Sequence, residues 1–293
     1  MTRRLLLAAC LLAAAPAGAE LFDVQVETAT RTTCTGRVVS YSLFIPQPTA
    51  GPPPPPWPAV VLNHGFARTK RFHADNAAYM ARRGLIVLTP DQIGRGGAFA
   101  REENIEITLD HLEWLVARSE TPGDPLAGLV DPQRLGLAGH SAGGAMAFEA
   151  AARSQLTSLP VRALVLLDAV PWRSTLEAAE ELAPLALARF RSEPSACNAD
   201  GSVRGLLAAL CFPVDDLRLV DATHCDPESP TDVLCRWACG GSTLLRRQLY
   251  RRLMYLFFQE ALDLPSVEPL PADYEETLAR LEAAGRVVRE AVK

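Results

Sequence analysis

The sequence predicts an α/β fold, with a mostly parallel central sheet covered by helices on both faces. Short, almost wholly apolar runs recur near 59–62, 85–89, 134–138 and 161–168, the pattern of strands buried on both sides. Helix-prone segments with apolar residues at helical spacing separate them. Each run ends in polar residues (Asn63 and His64, Asp91, Ser141, Asp168), and ligands bind at the carboxyl ends of strands in such sheets.

In chain order, residues 1–19 read as a secretory signal, with basic Met1-Thr-Arg-Arg4, an apolar stretch over 5–15 and an Ala17-Gly-Ala19 cleavage site. Leu7-Ala-Ala-Cys10 loosely fits a lipoprotein box, but the apolar run ahead of Cys10 is too short for a signal core. Residues 20–293 suffice for a single large α/β domain, and no repeat or compositional break marks a second. Alternation over 21–30 and 35–45 predicts two half-buried antiparallel strands. The proline-rich stretch 46–58 predicts an extended surface connection, followed by a buried strand at 59–62. A helix is expected over 72–83, closed by Gly84, then a strand at 85–89 and a glycine-rich loop at 92–98. An amphipathic helix follows over 103–119, with Ile105, Leu109, Leu112, Leu115 and Val116 inward, and a turn-rich loop at 121–132. The strand at 134–138 leads into an alanine-rich helix over 142–153. A strand at 161–168 precedes a helix capped by Ser174, with Glu177 at the capping-box position. Further strands are expected at 184–190 and, as the last, 217–221. A long helix over 242–262 and a more polar one over 273–292 complete the chain.

The net charge of −5 comes with scattered basic residues, so nucleic acid is not expected as a partner. No later stretch is long and apolar enough for a membrane span. Six cysteines follow the signal: Cys34, Cys197, Cys211, Cys225, Cys235 and Cys239. An even count in an exported chain predicts disulfides. The expected pairs are Cys197–Cys211 and a bridge from Cys239 to Cys225 or Cys235. A metal site of His224, Cys225, Cys235 and Cys239 is disfavoured, because the spacing lacks paired knuckles. Gly94-Arg-Gly-Gly97 lacks the Lys-Ser/Thr pair of a phosphate loop, and no cofactor is expected.

The chemistry centres on Gly139-His140-Ser141-Ala142-Gly143, a G-x-S-x-G motif between an apolar strand and a helix-prone segment, the context of a nucleophile elbow. Ser141, Asp168 and His224 stand in the order of an α/β-hydrolase triad. Serine needs a base, and His224 fits that role because it alone of the five histidines follows the strand expected last. Asp168 would fix the imidazole tautomer, with Glu193 and Asp200 as alternative acids. The backbone N–H groups of Ala142 and Phe66 are the expected oxyanion donors. His64 is expected to orient the Phe66 loop, and Asp91 to cap a strand end. Trp172 and Phe66 are candidate walls of a substrate pocket, and 173–183 a candidate cap over it.

The elbow Gly139–Gly144, the loop Asn63-His64-Gly65-Phe66 and the segment Leu167-Asp168-Ala169-Val170-Pro171 resemble the α/β-hydrolase superfamily, and within it the chlorophyllase and platelet-activating-factor acetylhydrolase-like branch, close to dienelactone hydrolases. Thr223-His224-Cys225-Asp226 and the cysteines up to Cys239 resemble exported bacterial members of that group. Dienelactone hydrolases use a cysteine nucleophile, so their activity does not carry over to Ser141. The resemblance implies hydrolysis of a carboxylic ester through an acyl-enzyme, on a hydrophobic, lipid-like, lactone or polyester substrate. A peptidase or acyltransferase using the same triad is the alternative chemistry. All three triad residues are present, which argues against a non-catalytic binding protein.

Overall fold

The structure, a computed structural model, describes residues 22–47, 55–96, 99–265 and 273–290; the expected signal segment and most of the proline-rich stretch lie outside them. Among the described residues nine strands form one sheet: β1 (Asp23–Thr32), β2 (Val38–Gln47), β3 (Trp57–Asn63), β4 (Ile86–Pro90), β5 (Val130–His140), β6 (Ala163–Leu167), β7 (Ala186–Arg191), β8 (Asp215–Leu219) and β9 (Val287–Arg289). Their order is β1-β2-β4-β3-β5-β6-β7-β8-β9. Strands β3 to β8 run parallel, and the hairpin β1–β2 at one edge and β9 at the other pair antiparallel.

The apolar strands divide their side chains between two cores. Ala59, Val61, Ile86 and Leu88 face one core, which is closed by α3 (Arg101–Glu120), α4 (Ala142–Ser154), α5 (Arg173–Glu181) and α6 (Val203–Ala208). Val60, Leu62 and Val87 face the other, closed by α1 (Ala74–Ala81), α8 (Leu244–Ala261) and α9 (Tyr274–Ala283). Both faces of β3 to β6 are therefore covered, as their apolar runs require, while β7 and β8 bury the charged cluster Arg189, Arg191 and Asp216. Two short helices, α2 (Ile93–Gly96) and α7 (Val233–Cys239), lie outside these layers.

Several expectations are corrected. The strand over 217–221 is not the last, and the final helix does not run to 292. Gly285, at φ +64°, ends α9, and Val287 pairs with Leu219 in an edge strand. Glycine at that position is a common helix stop, and the β-branched Val287 and Val288 suit a strand. The loop expected to reach 132 ends sooner, because β5 starts at Val130 and absorbs extra residues in a bulge between its pairings with Trp57 and Ala59. Ser174 does not cap α5. Trp172 holds the cap position, its N–H donates to Thr175 Oγ1 at 3.1 Å, and the Ser174 hydroxyl reaches Glu149 at 3.1 Å. Leu245, near the start of the long helix α8, is exposed.

The disulfides are Cys197–Cys239 and Cys225–Cys235, while Cys34 and Cys211 are free and exposed. Cys197–Cys211 fails for a topological reason. Cys197 follows the carboxyl end of β7, and Cys211 precedes the amino end of β8, so α6 carries the chain between opposite ends of two parallel strands. Cys239, the last residue of α7 beyond β8, returns to the end where Cys197 lies and pairs with it, not with Cys225 or Cys235 as expected.

Candidate active site

β5 and β6 pair to their last residues, with His140 opposite Leu167. Ser141 and Asp168 thus leave the sheet side by side. The Ser141 N–H donates to Leu167 O at 3.0 Å, and the Asp168 N–H to Phe190 O on β7 at 2.8 Å. Ser141 takes φ 55°, ψ −123°, a region side chains rarely occupy. Such strain costs on the order of 1–3 kcal/mol and persists only where the surroundings enforce it. Here the glycines enforce it. A Cβ on Gly139 would run into the Gly143 carbonyl, and one on Gly143 into the His64 carbonyl. Only bare backbone lets β5, α4 and the loop after β3 approach this closely.

His224 Nε2 lies 3.0 Å from Ser141 Oγ, and His224 Nδ1 lies 2.6 Å from Asp168 Oδ2. A carboxylate can only accept, so Nδ1 carries the proton and Nε2 presents its lone pair to the hydroxyl. Asp168 also accepts from the Ser192 N–H at 3.0 Å, the Ser192 hydroxyl at 2.6 Å and the Asn198 amide at 3.3 Å. Burial alone would raise its pKa; the hydrogen bonds from His224 and Ser192 outweigh that and hold the carboxyl below its ordinary value. Neither alternative acid faces His224. Glu193 pairs with Arg218 at 2.5 Å, and Asp200 is exposed.

β3 adjoins β5, with Asn63 opposite Gly139, so the loop 64–66 passes the elbow. A Cβ on Gly65 would stand 3.1 Å from Ser141 Cβ. His64 accepts from the Gln92 N–H at Nε2, 2.9 Å away, and therefore donates from Nδ1 to Gly65 O, also at 2.9 Å. Burial lowers its pKa, which favours this neutral form. Phe66 follows, half exposed, and Ala142 opens α4; both border the same cavity as Ser141. Asp91 accepts from the Lys70 N–H at 2.8 Å and pairs with Lys70 Nζ at 3.1 Å, so it ties two loops together away from Ser141.

Behind the row, His140 lies tilted against His224 with ring centres 4.6 Å apart, and His73 meets His140 edge-on at 6.0 Å. His140 Nε2 donates to His224 O at 2.9 Å, which tethers the loop of His224 to the elbow. Burial, and secondly the neighbouring His224, pushes the His140 pKa well down; burial brings His73 to about 3. These neutral rings add no fixed positive charge beside His224.

The row opens into a cavity of about 530 Å3, within the usual range for small-molecule sites. Val170, Trp172 and Phe66 supply apolar lining, as do Leu234 and Ala238 of α7. Residues 173–183 do not border it: α5 packs on α4, and α7 forms the wall expected of that segment. Arg68 also lines the cavity, held to the buried Glu228 at 2.7 and 2.6 Å. Burial raises the Glu228 pKa, and Arg68 opposes that shift. The sequence reading missed α7, the Arg68–Glu228 pair and the Ser192–Asn198 support of Asp168. Only Asp232, an N-cap residue ahead of 233–239, signalled α7. The sulfurs of Cys225, Cys235 and Cys239 lie within 4.8 Å of one another, but each is in a disulfide and leaves no thiolate for a cation. Among the described residues no helix is long and apolar enough to cross a membrane.

The chlorophyllase family model matches residues 19–193. The match spans more than half of the chain and contains Ser141 and Asp168; it stops before His224 and before both disulfides. No curated protein matches the chain. The chain belongs to the chlorophyllase family of the α/β-hydrolase superfamily, which points to an ester hydrolase.

Proposed function

From membership of this family we propose that the protein is an exported serine hydrolase that cleaves carboxylic esters of hydrophobic, lipid-like character. The observation that carries the reading is the hydrogen-bonded row Ser141–His224–Asp168 at the floor of a largely apolar cavity. His224 Nε2 takes the Ser141 proton as Oγ attacks the ester carbonyl, then delivers it to the departing alcohol. Asp168 keeps the proton on Nδ1 and stabilises the imidazolium without itself being protonated. The N–H groups of Ala142 and Phe66 receive the carbonyl oxygen as it becomes negative. Water, activated by the same His224, then releases the acid from Ser141. Both disulfides suit an oxidising compartment, which supports export.

The test is hydrolysis of p-nitrophenyl esters, from acetate to palmitate, by wild type and Ser141→Ala purified with disulfides formed. Turnover by wild type and its loss in the variant are expected. A wild type inactive on the whole series would overturn the reading.

A further inference from the structure

One wall of the cavity has little else to hold it. α7 is seven residues long, too short to persist alone in water. Its only buried residue is Cys235, while Val233, Leu234 and Trp237 are exposed by 70, 66 and 83%. Packing therefore contributes little to its place. Its ties are at its ends. Asp232 caps the helix by accepting from the Cys235 N–H at 2.9 Å, and also accepts from Arg68 at 3.2 Å. Cys225–Cys235 anchors the first turn, and Cys197–Cys239 the last residue. The disulfide partners border the reactive row: Cys225 follows His224, and Cys197 precedes Asn198, which donates to Asp168.

Resting on the ester-hydrolase reading, we infer that α7 is the specificity wall of the site: Leu234 and Ala238 receive the apolar group of the ester, and the two disulfides hold them there. Ser141 and His224 are taken up by the reaction, and Arg68 by Glu228 and Asp232, so discrimination between chain lengths falls to the apolar lining. Within that lining, Leu234 and Phe66 still expose most or half of their surface, which an acyl chain would cover. Leu234 is the one of these two that the disulfides control. Each methylene received by such a pocket changes kcat/KM by roughly tenfold or more.

The experiment compares p-nitrophenyl acetate with p-nitrophenyl octanoate for wild type, Leu234→Ser and the double variant Cys197→Ser/Cys239→Ser, with circular dichroism to check the fold. Leu234→Ser is expected to lower the octanoate-to-acetate ratio of kcat/KM about tenfold, chiefly through KM, and the double variant to lower it in the same direction. Leu234 is exposed, so its substitution spares the core. A ratio within twofold of wild type in both variants, while the wild type hydrolyses ester, overturns the inference alone. A ratio that moves only in Leu234→Ser overturns the role of the disulfides. A wild type that hydrolyses neither ester and takes no fluorophosphonate label overturns the ester-hydrolase reading and the inference with it.

Discussion

Ser141 and Asp168 leave the sheet from β5 and β6, adjacent strands buried on both faces, while His224 stands beyond β8, one strand from the edge. The first pair is placed by packing, through strand register and glycines that admit no Cβ. His224 is placed by charge and covalent bonds. The next residue but one, Asp226, is buried and accepts from the Thr223 N–H at 2.8 Å and from Arg246 at 2.7 Å. Glu228 holds Arg68, and Cys225 is bonded to Cys235. Packing tolerates reductants and salt but no added carbon at the elbow. Ionic and disulfide ties leave more freedom in sequence, and the disulfides can be reduced. The family match follows the same division, taking in the packed half and ending at residue 193.

The sharpest break in this comparison is on the packed side. Asp168→Asn is expected to reduce kcat by about 10⁴-fold, because the amide favours the wrong tautomer of His224. It should also alter acid stability. The Asp168 pKa is lower folded than unfolded, so its stabilisation is present above the ordinary carboxylate value near 3.8 and lost as pH falls through the lowered folded value. Melting temperatures taken from pH 6 to pH 2 should fall more steeply for wild type than for the variant, and parallel curves would contradict this.

On the tied side, Cys225→Ser with Cys235→Ser should cost about 2–4 kcal/mol, the usual worth of a disulfide, and lower ester turnover more than it disturbs the sheet. Near-ultraviolet and far-ultraviolet dichroism beside kinetics would separate the two; equal loss of secondary structure and activity would show that α7 is not separately held. Asn198→Ala should have the smallest effect. It removes one of several hydrogen bonds to Asp168, worth about 1 kcal/mol, so kcat should drop by roughly fivefold with KM little moved.

The same division explains what could be read from the sequence. The strands β3 to β6 announce themselves as apolar runs because both their faces are covered, and the elbow does so because its glycines are sterically required. Asp168 and His224 followed from their places after strands. α7 has fewer than two turns, and Val233, Leu234 and Trp237 all stay exposed, so no buried periodicity marks it. The pairing of Cys197 with Cys239 depends on which strand ends adjoin, a property of the folded sheet. Read as helix, β9 was hidden by the polar run before it, although Gly285 and Val287 carried the signal.

The central claim is that His224 activates Ser141, and labelling by a fluorophosphonate tests it directly. Intact-mass and peptide analysis should place a single adduct on Ser141 in wild type, with none in Ser141→Ala and strongly slowed labelling in His224→Ala. Wild type without an adduct, or with one on another residue, would contradict the claim.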